Sequence, residues 1–129
     1  MSHFSKIETQ LVDEECLKKA LEDLGCAFEA GGQVRGYGGQ KTRADLVIRQ
    51  EAGYDIGFVR AGDRYEMVAD LWGLKMDKDE FLQRVVQRYA YHAVMEQAAT
   101  ESFTVVSEEE TEDGSIRIVC ERQLEEAEA

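Results

Sequence analysis

The chain has 129 residues and a formal charge of −12, with 43% apolar and 9% aromatic side chains. That length suits one domain, and that apolar content fills a core rather than a disordered chain. The charge argues against a general binder of nucleic acid or anionic membrane, because both present phosphates that repel it.

The chain contains no proline, so proline-rich linkers and cis-proline turns are absent. No apolar run approaches the ~18 residues that span a bilayer, so no membrane insertion is expected. The first residues, Met1 to Lys6, lack an apolar stretch of signal-peptide length, which suggests a cytoplasmic protein. Cys16, Cys26 and Cys120 are odd in number and far apart. They read as buried free thiols rather than a disulfide framework or a zinc site.

In chain order, Phe4 to Gln10 reads as a short strand. Asp13 is a helix N-cap, followed by Glu14 and Glu15 where the helix dipole favours negative charge. Leu17, Ala20, Leu21 and Leu24 then share one face, and Gly25 stands where a helix ends. The spacing predicts a helix from Glu14 to Leu24.

From Cys26 to Gly73 the period becomes two. Candidate strand segments are Ala27–Ala30, Gln33–Tyr37, Thr42–Arg49, Tyr54–Arg60 and Arg64–Leu71. The breaks fall at Gly31-Gly32, Gly38-Gly39, Glu51-Ala52-Gly53 and Ala61-Gly62-Asp63, which suits tight antiparallel hairpins. Ala44, Leu46 and Ile48 face one way, and Ile56 and Phe58 oppose Asp55, Gly57 and Val59. One buried and one more polar face are expected.

Asp77 with Glu80 forms a capping-box variant that opens a long helix, running as far as Thr100. Phe81, Leu82, Val85, Val86, Tyr89 and Ala93 mark its apolar stripe, which should cover the sheet. A last hairpin, Ser102–Ser107 and Ser115–Arg122, turns through Asp113-Gly114. The expected fold is α+β and two-layered: an antiparallel sheet of hairpins covered by two helices, in the order β-α-β-β-β-β-α-β-β. Residues 1–122 would be a single domain and 123–129 an acidic, flexible tail.

Several motifs come in a specific order. They are Gly36-Tyr37-Gly38-Gly39-Gln40, Ala44-Asp45, Ile48-Arg49, Gly53-Tyr54-Asp55-Ile56-Gly57-Phe58, Val68-Ala69-Asp70-Leu71 and Gln87-Arg88-Tyr89-Ala90-Tyr91-His92. With the opening Met1-Ser2-His3-Phe4-Ser5 and the late Asp113-Gly114-Ser115-Ile116, the chain resembles the hypothetical chloroplast reading frame thirty-five family. It departs from plastid members around Leu74 to Asp79 and in the acidic residues after Arg122. The resemblance implies a domain of unknown function in cytoplasm, or in stroma for the plastid relatives. It implies no mechanism and supplies no catalytic residues.

The glycines of the hairpins lack the strand-loop-helix context and the Gly-Lys-Ser or Gly-Lys-Thr of a phosphate-binding loop. They read as turn residues. Charge is unevenly spread: residues 33–64 carry six basic and four acidic side chains, whereas residues 101–129 carry two and ten. Arg35, Tyr37, Gln40 and Arg43, with Arg49, Arg60 and Arg64, lie in that locally basic stretch. Asp45, Asp55 and Glu66 are candidate cross-strand partners for the arginines. A solvated face laced with ion pairs is one reading, and a face that recognises an anion or acidic partner is the other.

On the long helix, Arg88, Tyr91 and His92 share a side. They either border the core or contact a ligand or partner. His3 and His92 are the only histidines and form no metal-ligand spacing, so no metal or cofactor is expected. Trp72 reads as core or rim.

Three functional classes remain. One is a non-enzymatic interaction or accessory protein with a protein partner: an assembly factor, an adaptor, or a subunit of a larger complex. Self-association would protect a sheet edge. The second is a small-ligand or nucleotide-binding regulator with an anion-binding face on the hairpins, its site joining the hairpin arginines and Tyr37 to Arg88, Tyr91 and His92. The third is an enzyme using Asp45, Asp55 or His92. The first is favoured, because no catalytic constellation is recognisable.

Overall fold

A computed structural model of the chain describes residues 3–51 and 53–122. The expected tail at 123–129 lies outside the described residues. The element order is β1 (Phe4–Glu8), α1 (Glu14–Asp23), β2 (Glu29–Arg35), β3 (Lys41–Ile48), β4 (Ile56–Ala61), β5 (Arg64–Asp70), α2 (Lys78–Thr100), β6 (Phe103–Glu110) and β7 (Ile116–Arg122). This is the order read from the sequence.

The caps work as predicted for α1. The Asp13 carboxylate accepts from the Cys16 N–H at 3.0 Å, and Gly25 takes φ +72° just past the helix. At α2, Asp77 accepts from the N–H groups of Asp79 and Glu80. Glu80 does not reach back to complete a capping box. Its carboxylate pairs with Arg84 one turn on, at 3.0 Å.

Strands β1 to β5 form one antiparallel sheet in the order β1-β5-β4-β3-β2. One face is covered by the helices. Leu17, Ala20 and Leu21 of α1 and Val85 of α2 meet Leu46, Ile48, Ile56, Phe58, Met67 and Ala69 of the sheet. Burial of the larger of these side chains, the Leu, Ile, Val, Phe and Met residues, contributes roughly 1.5–3 kcal/mol each relative to exposure, so this cluster drives the fold.

Three expectations need correction. Gly31-Gly32 does not break a strand: β2 runs through it, with the pairs Ala30↔Leu46 and Gly32↔Ala44 on either side of Gly31. Gly31 absorbs the distortion at φ +80°, which only glycine adopts readily. The alternation slips there, so Ala44 leaves the Leu46 face and packs with Val34 and Val47. The second face is accordingly not simply polar. Val34, Ala44 and Val47 form a small core with Phe4 and Val59 against it. Finally, the last hairpin does not join the main sheet. Among the described residues, β6 and β7 pair only with each other, and they pack on α2.

That hairpin changes the reading of α2. Val85 is buried, and Phe81, Leu82 and Tyr89 are packed against the main core, but Val86 is 41% exposed. Twenty-three residues of helix outrun the sheet, and the outer side of α2 serves the hairpin instead. No helix among the described residues is long and apolar enough to cross a membrane.

Candidate functional site

The sheet curls at its β2 end. The Asp55 N–H donates to the Arg35 carbonyl at 3.1 Å, and the Tyr37 N–H donates to the Asp70 carboxylate at 2.8 Å. These bonds carry the end of β2 across β4 and β5 toward β1. Gly36 marks the crossing: a Cβ there would stand 2.8 Å from the Phe4 ring and 3.1 Å from the Asp70 carboxylate. Two groups of side chains assemble at this corner.

The first centres on Asp55, which is fully buried. Its Oδ2 accepts from Arg35 N at 3.0 Å, Arg35 Nε at 2.8 Å and Arg49 Nη1 at 2.9 Å. Its Oδ1 accepts from Arg35 Nη2 and Gln50 N, both at 2.9 Å. Burial alone would raise this carboxyl's pKa. The Arg35 guanidinium, the two backbone N–H groups and Arg49 outweigh burial and hold it well below the usual carboxylate range. Arg49 also pairs with Glu29 at 2.9 Å, and Arg35 Nη2 also donates to the Gln50 carbonyl. Two guanidiniums thus face two carboxylates. Arg35, Arg49 and Glu29, with Gln33 and Lys41, line an open cleft of about 450 Å³.

The second group is aromatic. Tyr37 heads the turn between β2 and β3, and Trp72 follows β5. Their rings meet edge to face at 5.0 Å, and His3 joins both, at 5.1 Å from Tyr37 and 6.2 Å from Trp72. Trp72 is 71% exposed and Tyr37 is 45% exposed. Trp72 is therefore neither core nor rim. Beneath them Asp70, only 1% exposed, accepts from the backbone N–H of Tyr37 and from that of Trp72 at 3.1 Å. Gly73 leaves no room for a Cβ against the Tyr54 ring. Large exposed aromatics on tightly held turns are the composition of protein-binding hot spots.

The other predicted residues fall elsewhere. Gln40 closes the Tyr37 turn, its N–H donating to the Tyr37 carbonyl at 3.1 Å. Arg43 is exposed on β3, opposite Gln33. Asp45 is exposed and accepts from the Arg60 N–H at 2.7 Å. Arg88, Tyr91 and His92 do come together, but around Asp23 of α1. Arg88 Nε donates to Asp23 Oδ2 at 2.9 Å, and His92 Nε2 lies 2.6 Å from the same oxygen. Tyr91 stacks under Arg88 and donates to Glu108 of β6 at 2.7 Å. Burial raises the Asp23 pKa, and the His92 and Arg88 hydrogen bonds more than reverse that. This group ties α1, α2 and the terminal hairpin together, on the helical side of the molecule.

A cysteine also ties the helices. Cys16 Sγ donates to Glu96 Oε2 at 3.6 Å, with Asp13 close by. Burial first, then Asp13 and Glu96, push this thiol up to about 11, so it stays protonated rather than offering a thiolate ligand. Between α2 and β7 runs an apolar groove of about 510 Å³, lined in part by Val86, Val94, Ile116 and Ile118.

Sequence reasoning missed His3, Asp70 and Trp72 as one group. The available signal was the pair of glycines, Gly36 and Gly73, that flank Tyr37 and Trp72 closely in the chain.

A family described as "Protein of unknown function (DUF1257)" matches residues 20–119. The chain is 38% identical over 125 residues to "Uncharacterized protein ycf35" of Cyanophora paradoxa, covering 95% of this chain and 98% of that one. It is 42% identical over the same span and shares to the protein of that name from Guillardia theta, and 34% to that from Pyropia yezoensis. No solved structure matches it. The chain belongs to the DUF1257 family, with the ycf35 proteins.

Proposed function

We propose that this protein is a non-enzymatic interaction module, an accessory subunit or adaptor, whose docking surface is the Tyr37–Trp72–His3 corner. The observation that carries this reading is Trp72, 71% exposed yet with its backbone N–H held by buried Asp70. An unbound indole in water is costly unless a partner covers it, and Trp and Tyr dominate interface energetics. The catalytic alternative lacks support at Asp55. That carboxylate is buried beneath two arginines and touches nothing that arrives from solvent.

The test is affinity purification of the tagged full chain from a native lysate of its own source, beside Trp72→Ala. A defined partner set recovered with the wild type and lost with the variant is expected. The same set from both proteins, or nothing above background with either, overturns the reading.

The anionic-ligand reading retains one supporting feature, the cleft where Arg35 lies opposite Lys41. Thermal-shift screening tests it, since a ligand at 100 times its Kd adds ~2.7 kcal/mol. A shift with phosphate-bearing metabolites that Arg35→Ala removes would favour it over docking.

A further inference from the structure

We infer that the outer edge of β7 pairs antiparallel with β7 of a second copy of this chain, about a two-fold axis at Val119, so that two hairpins join into one four-stranded sheet. The inference stands apart from the docking reading above, which concerns a different surface.

The edge is the first argument. Among the described residues β7 is hydrogen-bonded to β6 alone, so its other side presents unpaired backbone N–H and C=O groups. A two-stranded hairpin is marginal by itself, and further strands strengthen it. The two edges of this hairpin differ. β6 carries Glu108, Glu109 and Glu110 and a register shift between Val105 and Ser107, and charge and bulges are what keep an edge from pairing. β7 runs without a shift and holds the β-branched Ile116, Ile118 and Val119.

Self-complementarity is the second argument, and it selects a copy of the same chain. Ile116 and Ile118 turn toward α2, where they line the apolar groove with Val86 and Val94. Arg117, Val119 and Glu121 are exposed on the opposite face. An antiparallel pairing that keeps these faces aligned and is centred on Val119 sets Arg117 opposite Glu121 of the second copy, and Glu121 opposite its Arg117. Centring on Arg117 or Glu121 sets like charges opposite each other, and centring on Ile118 or Cys120 sets Val119 against a charge. Within the hairpin, Arg117 has only an exposed contact of 3.6 Å to Glu109, and Glu121 stands opposite the uncharged Thr104. The joined sheet therefore carries a row of Glu109, Arg117, Glu121 and Thr104 on its outer face. On the other face Ile118 meets Cys120 of the second copy, adjoining the groove.

Each copy carries −12, which opposes association at long range. Salt screens that repulsion beyond about 8 Å under physiological conditions. The glutamates of β6 lie one strand further from the axis. The contact is small, which suits a reversible micromolar equilibrium rather than an obligate dimer.

Sedimentation equilibrium of the full-length protein at about 0.15 M salt is the test. A reversible monomer–dimer equilibrium is expected for the wild type. Glu121→Arg and Arg117→Glu each set two symmetry-related like-charge pairs across the axis, so each should weaken association about tenfold or more. The double variant Arg117→Glu/Glu121→Arg should recover it. Damage to the hairpin itself would not be repaired this way, because a glutamate at position 117 faces Glu109 in the single and the double variant alike. Thermal melts show that each variant folds. A monomeric wild type overturns the inference and leaves the edge to another segment or another chain. A dimer that both single variants leave unchanged overturns it too, as does a loss that the double variant fails to restore.

Discussion

Replacing Asp55 with asparagine tests whether a buried carboxylate organises the curled end of the sheet. The substitution keeps the shape and removes the charge. In the native protein Oδ2 accepts three donors and Oδ1 accepts two. An asparagine offers one carbonyl oxygen, so at least two of those donors meet an amide N–H₂ instead. A hydrogen bond to a charged group contributes ~1.5–3 kcal/mol. Both guanidiniums are partly exposed and regain part of this from water, which leaves a net loss of about 2–4 kcal/mol. A domain of this size has a stability of roughly 5–15 kcal/mol, so Asp55→Asn should fold and be measurable.

The assay is urea denaturation from pH 7 downward. Asp55 has a depressed folded-state pKa, so its stabilisation is complete above the unfolded value of ~3.9 and fades as pH falls toward the folded one. The gap between wild type and Asp55→Asn should be full at pH 7 and narrow progressively below about pH 4. Asp23 and Asp113 also have lowered pKa values, but they titrate in both proteins and cancel in the difference. A gap under ~0.5 kcal/mol at pH 7, the range of ordinary surface substitutions, would refute the reasoning. A gap that widens on acidification would do the same.

Three further outcomes follow from packing and capping. Gly57→Ala drives a Cβ into Val34 and to within 2.7 Å of the Ala44 Cβ, so denaturation should show a loss of ~1–3 kcal/mol. A neutral or stabilising result would mean the second core has slack. Tyr89→Phe removes the hydroxyl that accepts from Val12 N at 3.0 Å and Asp13 N at 2.8 Å, and should cost ~1 kcal/mol. Amide exchange should then speed up at those two residues first; unchanged exchange there would count against the cap. Cys16, with its thiol near 11 and its side chain buried, should be roughly one part in a thousand ionised at pH 8 and react with maleimide only as the protein unfolds. Labelling of Cys16 in the folded protein as fast as Cys120 would contradict this.

How far the fold was legible in the sequence depended on the range of the signal. Asp13 and Gly25 delimit α1 through bonds a few residues long, so local chemistry located both ends. The Asp113-Gly114 turn is equally local: the Asp113 carboxylate accepts from the Ser115 N–H at 3.0 Å, and Gly114 takes φ +84°. Gly31-Gly32 misled because the same residue type serves a turn or an irregular strand, and only the partner strand decides which. Val86 misled because the helical period says which residues share a face, not what the face meets. That β6 and β7 form their own sheet rests on long-range pairing that hydrophobic spacing does not encode.

The site was harder to read for a related reason. Arg35 and Asp55 were both singled out, and their pairing spans 20 residues, within the reach of a hairpin argument. Tyr37 and Trp72 meet only because β2 crosses the sheet, a consequence of what Gly36 permits and what Asp70 binds. A count of charges over residues 33–64 suggested an anion-binding face. Geometry weakens that argument without altering the count. Glu29 lies outside the window but inside the cleft, and Asp55 lies inside the window but beneath the surface. Once those two carboxylates are placed, the arginines act mainly on the protein itself. What the corner presents outward is ring faces, set in a molecule whose overall charge is strongly negative. The charge of Arg35 and Arg49 is therefore largely compensated at contact distance, which weakens the anion-binding reading that local composition suggested.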